Sequence, residues 1–273
     1  MIKISHESPL SMLEISRTYN DYEYALVHLF ETHPEYYKFF EESLLQGRKV
    51  LLDNSIFELG TAFDTIKYIS WIHRLNPTEF IIPDVLESCD GTLESASKFL
   101  QEFYADGSEY IECESKLIGV VQGKTYNDLV KCYTAFDQKF QVDKIAISFD
   151  YSYYTEVFPH PNKWVSYMMG RVMTLTRLMN DGIINKNIPH HLLGCAHPRE
   201  FSFYQGPEFS WIESLDTSSP IVHGIKRINY TDKIGTWNKE STKLVDLLDC
   251  VPDAAQEECI AKNLAAFRSY VNG

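Results

Sequence analysis

Three aspartates and a glutamine stand where apolar runs stop. "KVLLDN" (49–54) delivers Asp53, "EFIIPD" (79–84) delivers Asp84, "KLIGVVQG" (116–123) delivers Gln122 and Gly123, and "FSWIESLD" (209–216) delivers Asp216. Two more runs, "KIAISFD" (144–150) and "HHLLGC" (190–195), carry Ser148 and Gly194 near their ends. A carboxylate can attack an electrophilic carbon, carry a proton, or accept hydrogen bonds from a ligand. Taken singly, each acid reads first as a helix N-cap or a turn residue. Taken together they imply one pocket, provided the runs are parallel strands whose carboxyl ends share a face. Thr217, Ser218 and Ser219 follow Asp216 and leave space beside it.

The elements that would position these groups alternate along the chain. "YALVHL" (24–29) precedes "HPEYYKFFEESLL", where Pro34 suits the first turn of a helix. The run ending at Asp53 precedes a helix with Tyr68, Ile72 and Leu75 on one face. "GTLESASKFLQEFY" and "TYNDLVKCYTAF" follow the next two runs, and a long helical pattern covers 162–180. "PIVHGI" (220–225) reads as an eighth strand, and an amphipathic helix with Ile260, Leu264, Phe267 and Val271 closes the chain. Strand–helix alternation implies parallel strands, which need long crossovers. Near-continuous apolar strands fit a sheet covered on both faces. Eight repeats predict an α/β fold of (β/α)8 TIM barrel type, with a doubly wound open sheet as the alternative. No linker rich in Gly, Pro or Ser interrupts the pattern, so residues 1–273 read as a single domain.

Composition narrows the function classes. The chain has 273 residues, 44% of them hydrophobic, enough for a sizeable core. Its N-terminus lacks a signal-peptide core and no apolar run reaches membrane-spanning length, which predicts a cytoplasmic protein without membrane partners. The six cysteines, at 89, 113, 132, 195, 250 and 259, form no short metal-binding spacing and are expected to be free thiols. A net charge of −13 argues against broad, non-specific nucleic-acid binding. One local exception is the stretch 224–243, where Lys226, Arg227, Lys233, Lys239 and Lys243 face only Asp232 and Glu240. It reads first as a solvated surface loop and second, given its place after Asp216, as a phosphate-binding surface.

The motifs also fall in a recognisable order. "LLDNSIFELG", "FIIPDVLES", "GVVQG", "HHLLGCAHP" and "SLDTSSP" together resemble the tRNA-guanine transglycosylase family and its DNA-modifying relatives. That family carries "DSGGFQ", "FDE", "GVVQG" or "GIVQG", "YLMGVGKP" and "FDCVLP" in the same order, and the likeness spans roughly residues 50 to 225. It departs in three places. The double glycine after the first aspartate is Ser55-Ile56, the glycine pair that meets the base is Ser148-Phe149, and the C-x-C-x-x-C…His zinc site is absent.

The resemblance implies exchange of guanine in a polynucleotide for a free 7-deazaguanine base, with no cofactor. Asp216 would be the nucleophile at C1′ and Asp53 the proton handler. Asp84, Gln122, Gly123, Ser148, Gly194 and Phe57 would bind the base. Lys226, Arg227 and His223 would meet phosphate. The missing zinc lobe and the short chain point to DNA before tRNA, and to a phage or bacterial modification cluster. A homodimer or a partner protein is compatible with the family. Competing readings are a tRNA enzyme, a glycosidase or nucleoside hydrolase using Asp53 and Asp216 as its acid pair, and a non-catalytic nucleic-acid-binding homologue. His190, His191 and His197 read as packing or capping residues, Cys195 as buried and inert, and "FDYSYY" (149–154) as a tyrosine-rich loop packed on the barrel rim before a base-stacking surface.

Overall fold

A computed structural model describes residues 1–105, 114–230, 239–240 and 242–273. Eight strands make one sheet: β1 (Lys3–Ser5), β2 (Glu23–Leu26), β3 (Val50–Asp53), β4 (Glu79–Ile81), β5 (Lys116–Val121), β6 (Lys144–Ser148), β7 (His190–Leu193) and β8 (Ile212–Asp216). Their order is β1-β8-β7-β6-β5-β4-β3-β2, and every described pairing is parallel. Helices follow the strands, so the fold is a (β/α)8 TIM barrel. Among the described residues no helix is long and apolar enough to cross a membrane.

By compactness the chain falls into two units, Tyr22–Ile147 and Met1–Asp21 with Ser148–Gly273. In the first, β2 and β3 are buried at every position, as strands covered on both faces must be. The connecting helices start on cues the sequence carries. Pro34 opens α2 (Pro34–Leu45), Asp64 accepts from Lys67 N at the start of α4 (Thr65–Leu75), and Ser88 accepts from Gly91 N at the start of α5 (Cys89–Phe103). A Thr125–Asp128 capping box starts α6 (Tyr126–Thr134). The predicted face of α4, Tyr68, Ile72 and Leu75, is the one it buries.

The second unit corrects one assignment. Residues 220–225 are not a strand but lie in a helix, Ser219–Ile225, with Pro220 in its first turn and every residue buried. A helix buried all round carries no polar face, so its β-branched apolar run mimics a strand. Its Gly224 is where the C-terminal helix (Ala254–Asn272) crosses: a Cβ there would stand 2.3 Å from Ile260 Cγ1. Ile221, Ile225, Ile260 and Leu264 form the core of that crossing with Met12. The strand that completes the eight is β1 instead, paired Ile4↔Leu215 and Ser5↔Asp216 with β8. Three residues are too few to show a period.

Three buried histidines of this unit are held neutral. Burial is the leading cause that lowers His6 to about 3, and His190 and His197 to about 4. Each takes up a proton near 6.5 once unfolded, so their stabilising contribution is full above that value and is lost as pH falls towards 4 and then 3. Unfolding at pH 5 should therefore bind about three protons from these groups, read from calorimetric enthalpies in buffers of different ionisation heat. Uptake of less than about one proton would contradict the burial described.

Candidate active site

In the unit Tyr22–Ile147, β3 ends on Asp53, which is buried. Tyr24 Oη donates to its Oδ2 at 2.7 Å, and Ser55 N donates to its Oδ1 at 2.5 Å. Ser55 takes the left-handed conformation, φ 61°, which a glycine would adopt without cost. Asn54 turns its carbonyl oxygen to Ile56 N at 3.0 Å. Its amide nitrogen thereby faces Asp84 Oδ1 at 2.8 Å and Ile82 O at 3.2 Å. Asp84 lies three residues past the end of β4 and is 2% exposed.

Gln122, directly after β5, holds the other oxygen of Asp84, Nε2 to Oδ2 at 2.6 Å. Its Oε1 accepts from Glu87 N at 2.8 Å, which fixes the amide's orientation. Burial raises the Asp84 carboxyl above its usual range, against the lowering effect of the Asn54 and Gln122 hydrogen bonds. Tyr68 of α4 supports both strand ends, donating to Leu52 O and Ile81 O. Gly123 packs against the start of α6, where a Cβ would stand 2.5 Å from Asp128 Cβ. Phe57 lies on the short helix α3 (Ile56–Leu59) and is exposed.

In the other unit, β8 delivers Asp216, 5% exposed. Its Oδ1 meets His191 Nε2 at 3.0 Å and Gly194 N at 3.2 Å. A carboxylate oxygen accepts, so Nε2 is the donor to it, and Ser214 Oγ bonds the other ring nitrogen, Nδ1, at 2.9 Å. Oδ2 receives no hydrogen bond among the described residues. Ser5, the register neighbour of Asp216, is fully buried and its hydroxyl has no partner among the described residues. The sequence reads His191 as a packing or capping residue; the β7–β8 register sets it opposite Ser214, and Asp216 lies two residues on, hence on the same face.

Gly194 is held from behind. The guanidinium of Arg171, on the helix Lys163–Asn180, donates to Leu193 O at 2.9 Å and Gly194 O at 3.0 Å. It is paired in full burial with Glu200, which also accepts from Tyr204 Oη at 2.8 Å. Gly194 has φ +64°, and its missing Cβ would lie 2.3 Å from Phe149 Cδ1. Phe149 thus covers the Cα face of Gly194. Ser148 bonds Asp150 through its hydroxyl, and Tyr151 and Tyr154 hold its backbone, so both tyrosines pack rather than stack on a ligand.

His223 is buried in the Ser219–Ile225 helix, bonded to Ser219 O at 2.8 Å, so it offers no surface to phosphate. Lys226 and Arg227 are exposed, and Arg227 pairs with Asp253. Lys233 and Cys113 lie outside the described residues. Cys195 is buried, its thiol pushed up to about 12, and His197 caps the 3-10 turn that begins at Pro198. Cys250 and Cys259 are half-buried free thiols. A groove of about 910 Å³ opens at the amino ends of β1, β7 and β8, between Lys3, Pro189, Trp211 and Glu213, and does not include Asp216. Among the described residues no three His, Cys, Asp or Glu side chains are grouped to hold a metal ion.

A parallel (β/α)8 barrel with hydrogen-bonded acids at strand carboxyl ends is the class these observations define. No protein-family model matches the chain, and no curated protein matches it.

Replacing Arg171 by methionine leaves Glu200 charged and unpaired in the interior. Urea unfolding should show a loss of about 3–5 kcal/mol. A loss under about 1 kcal/mol would mean that the pair does not hold the β7 end.

Proposed function

We propose that the chain is a base-exchange transglycosylase that replaces guanine in DNA with a 7-deazaguanine through a covalent bond from Asp216 to C1′. The observation that carries this reading is the edge formed by Asp84 and Gln122. Backbone donors fix the amides of Asn54 and Gln122 with their NH2 groups towards Asp84. Gln122 keeps one N–H uncommitted among the described residues, and a carboxylate has about four acceptor positions, only two of them taken here by side-chain amides. Acceptor beside donor is the complement of a lactam, the N1–H and O6 edge of guanine and of its 7-deaza analogues. Adenine reverses both polarities and would leave buried groups unpaired, at about 1–3 kcal/mol each.

The state of Asp216 supports the covalent step. Two donors on Oδ1 leave Oδ2 as the oxygen free to attack. Loss of a base gives C1′ oxocarbenium character, which a nearby carboxylate stabilises before it bonds. Asp53 hydrogen-bonds a phenol and a backbone N–H, which hold it as the group that passes a proton to the leaving base and takes one from the incoming base. The buried hydroxyl of Ser5 is available to a sugar oxygen. DNA is favoured over tRNA by the absent zinc-site motif.

Incubation with labelled guanine and either DNA or tRNA tests the reading. Label should enter DNA, and Asp216→Asn should abolish incorporation. Asp84→Asn, which turns an acceptor into a mixed group, should lower it about ten- to hundredfold. Label entering only tRNA would move the substrate, release of base without incorporation would make the chain a hydrolase, and full activity of Asp216→Asn would end the proposal.

A further inference from the structure

Lys239 is a charged group near Asp216 that the proposed reaction leaves without a role. Its ammonium lies 3.6 Å from the centroid of the Phe149 ring and 5.6 Å from that of Trp164. It donates to Cys195 O at 2.6 Å. No carboxylate lies within ion-pair distance of it among the described residues. Asp150 and Asp216 attract it only at longer range, Arg171 repels it, and the Cys195 thiol is its other titratable neighbour. Burial is the largest effect and pulls the amine down to about 8. A half-buried lysine beside two aromatic rings, with no carboxylate in ion-pair reach among the described residues, loses its proton more readily than an exposed one, and a neutral amine is a nucleophile. The amine also belongs to the same strand end as the acid. Gly194 N–H donates to Asp216, and the carbonyl of the next residue, Cys195, receives Lys239.

We propose that Lys239 is a second covalent centre, an amine that condenses with the C1′ aldehyde of an abasic deoxyribose. This rests on the base-exchange reading for the origin of its ligand. If guanine leaves and no second base enters, water hydrolyses the Asp216 ester and leaves a hemiacetal that opens to an aldehyde at C1′. The nitrogen lone pair of Lys239 adds to that carbon, the carbonyl oxygen takes a proton, and the carbinolamine loses water to give an iminium ion. Addition of water reverses the sequence and returns the free amine. No oxidant or reductant is consumed. The ligand class is therefore an aldehyde sugar within a polynucleotide, captured before it diffuses from the enzyme.

The test uses the full chain and an oligodeoxynucleotide carrying one abasic site, with cyanoborohydride to reduce the iminium to a stable secondary amine. A covalent adduct of chain plus oligonucleotide should form, and peptide mass mapping of the wild-type adduct should place it on Lys239. Its rate of formation should rise between pH 6 and 8 as the amine loses its proton. Lys239→Arg should lower the yield at least about tenfold, because a guanidinium stays protonated. Asp216→Asn should keep the adduct. Adducts spread over the N-terminus and other lysines, or an undiminished yield in Lys239→Arg, would overturn the proposal. The wild-type map decides the matter even if the variant does not fold. An abasic substrate needs no base exchange, so adduct without exchange would remove the transglycosylase reading alone, and exchange without adduct would remove this one alone.

Discussion

Everything proposed for the β8 end depends on how one oxygen of Asp216 is occupied. His191 and the Gly194 amide both bond Oδ1, and Ser214 holds the imidazole through its other nitrogen, which orients the ring for the first of these bonds. The amide is in place because Arg171 grips the two carbonyls that flank it, and Arg171 can be buried because Glu200 and Tyr204 complete its network. The chain of cause runs from a buried ion pair to a strand end, to a backbone N–H, to a carboxylate with one oxygen committed. A carboxylate free to rotate would present either oxygen at an entropic cost to each attack. One fixed in this way is organised before a substrate arrives.

The same logic operates at the ends of β3, β4 and β5, with amides in place of imidazole. Asn54 and Gln122 are each oriented by a backbone N–H on the oxygen side, so each must offer its nitrogen to Asp84. Asp84 in turn stays hydrogen-bonded although burial penalises its charge. Such a network specifies polarity rather than shape: it distinguishes ligands by where they place donors and acceptors. Phe149 does the converse on the other unit. It covers Gly194 with an apolar ring.

Much of this was legible in the sequence, and for identifiable reasons. The run ending at Asp53 and the buried end of the run before Gln122 are strands covered on both faces, which makes them almost purely apolar, whereas the run ending at Asp216 mixes Glu213 and Ser214 into its strand. The helices with Asp64, Ser88 and Thr125 at their starts carry local capping chemistry that any reading recovers. What stayed hidden depends on contacts between distant residues. β1 is three residues long and owes its existence to β8. The Ser219–Ile225 helix looks like a strand because neighbours bury it on all sides. His191 and Asp216 are 25 positions apart, and only the β7–β8 register joins them. His223 shows the reverse error, a residue that looked available beside Asp216 and is enclosed by its own helix.

The central claim is that Asp216 bonds to the sugar, and quenching the reaction during turnover tests it most directly. The full chain is mixed with a guanine-containing oligodeoxynucleotide without any incoming base, denatured in acid, and examined by intact mass and peptide mapping. A species equal to the chain plus the oligonucleotide less guanine should appear, labile to hydroxylamine as an ester is, and attached at Asp216. Rapid base release with no such species, or an attachment at Asp53, would contradict it.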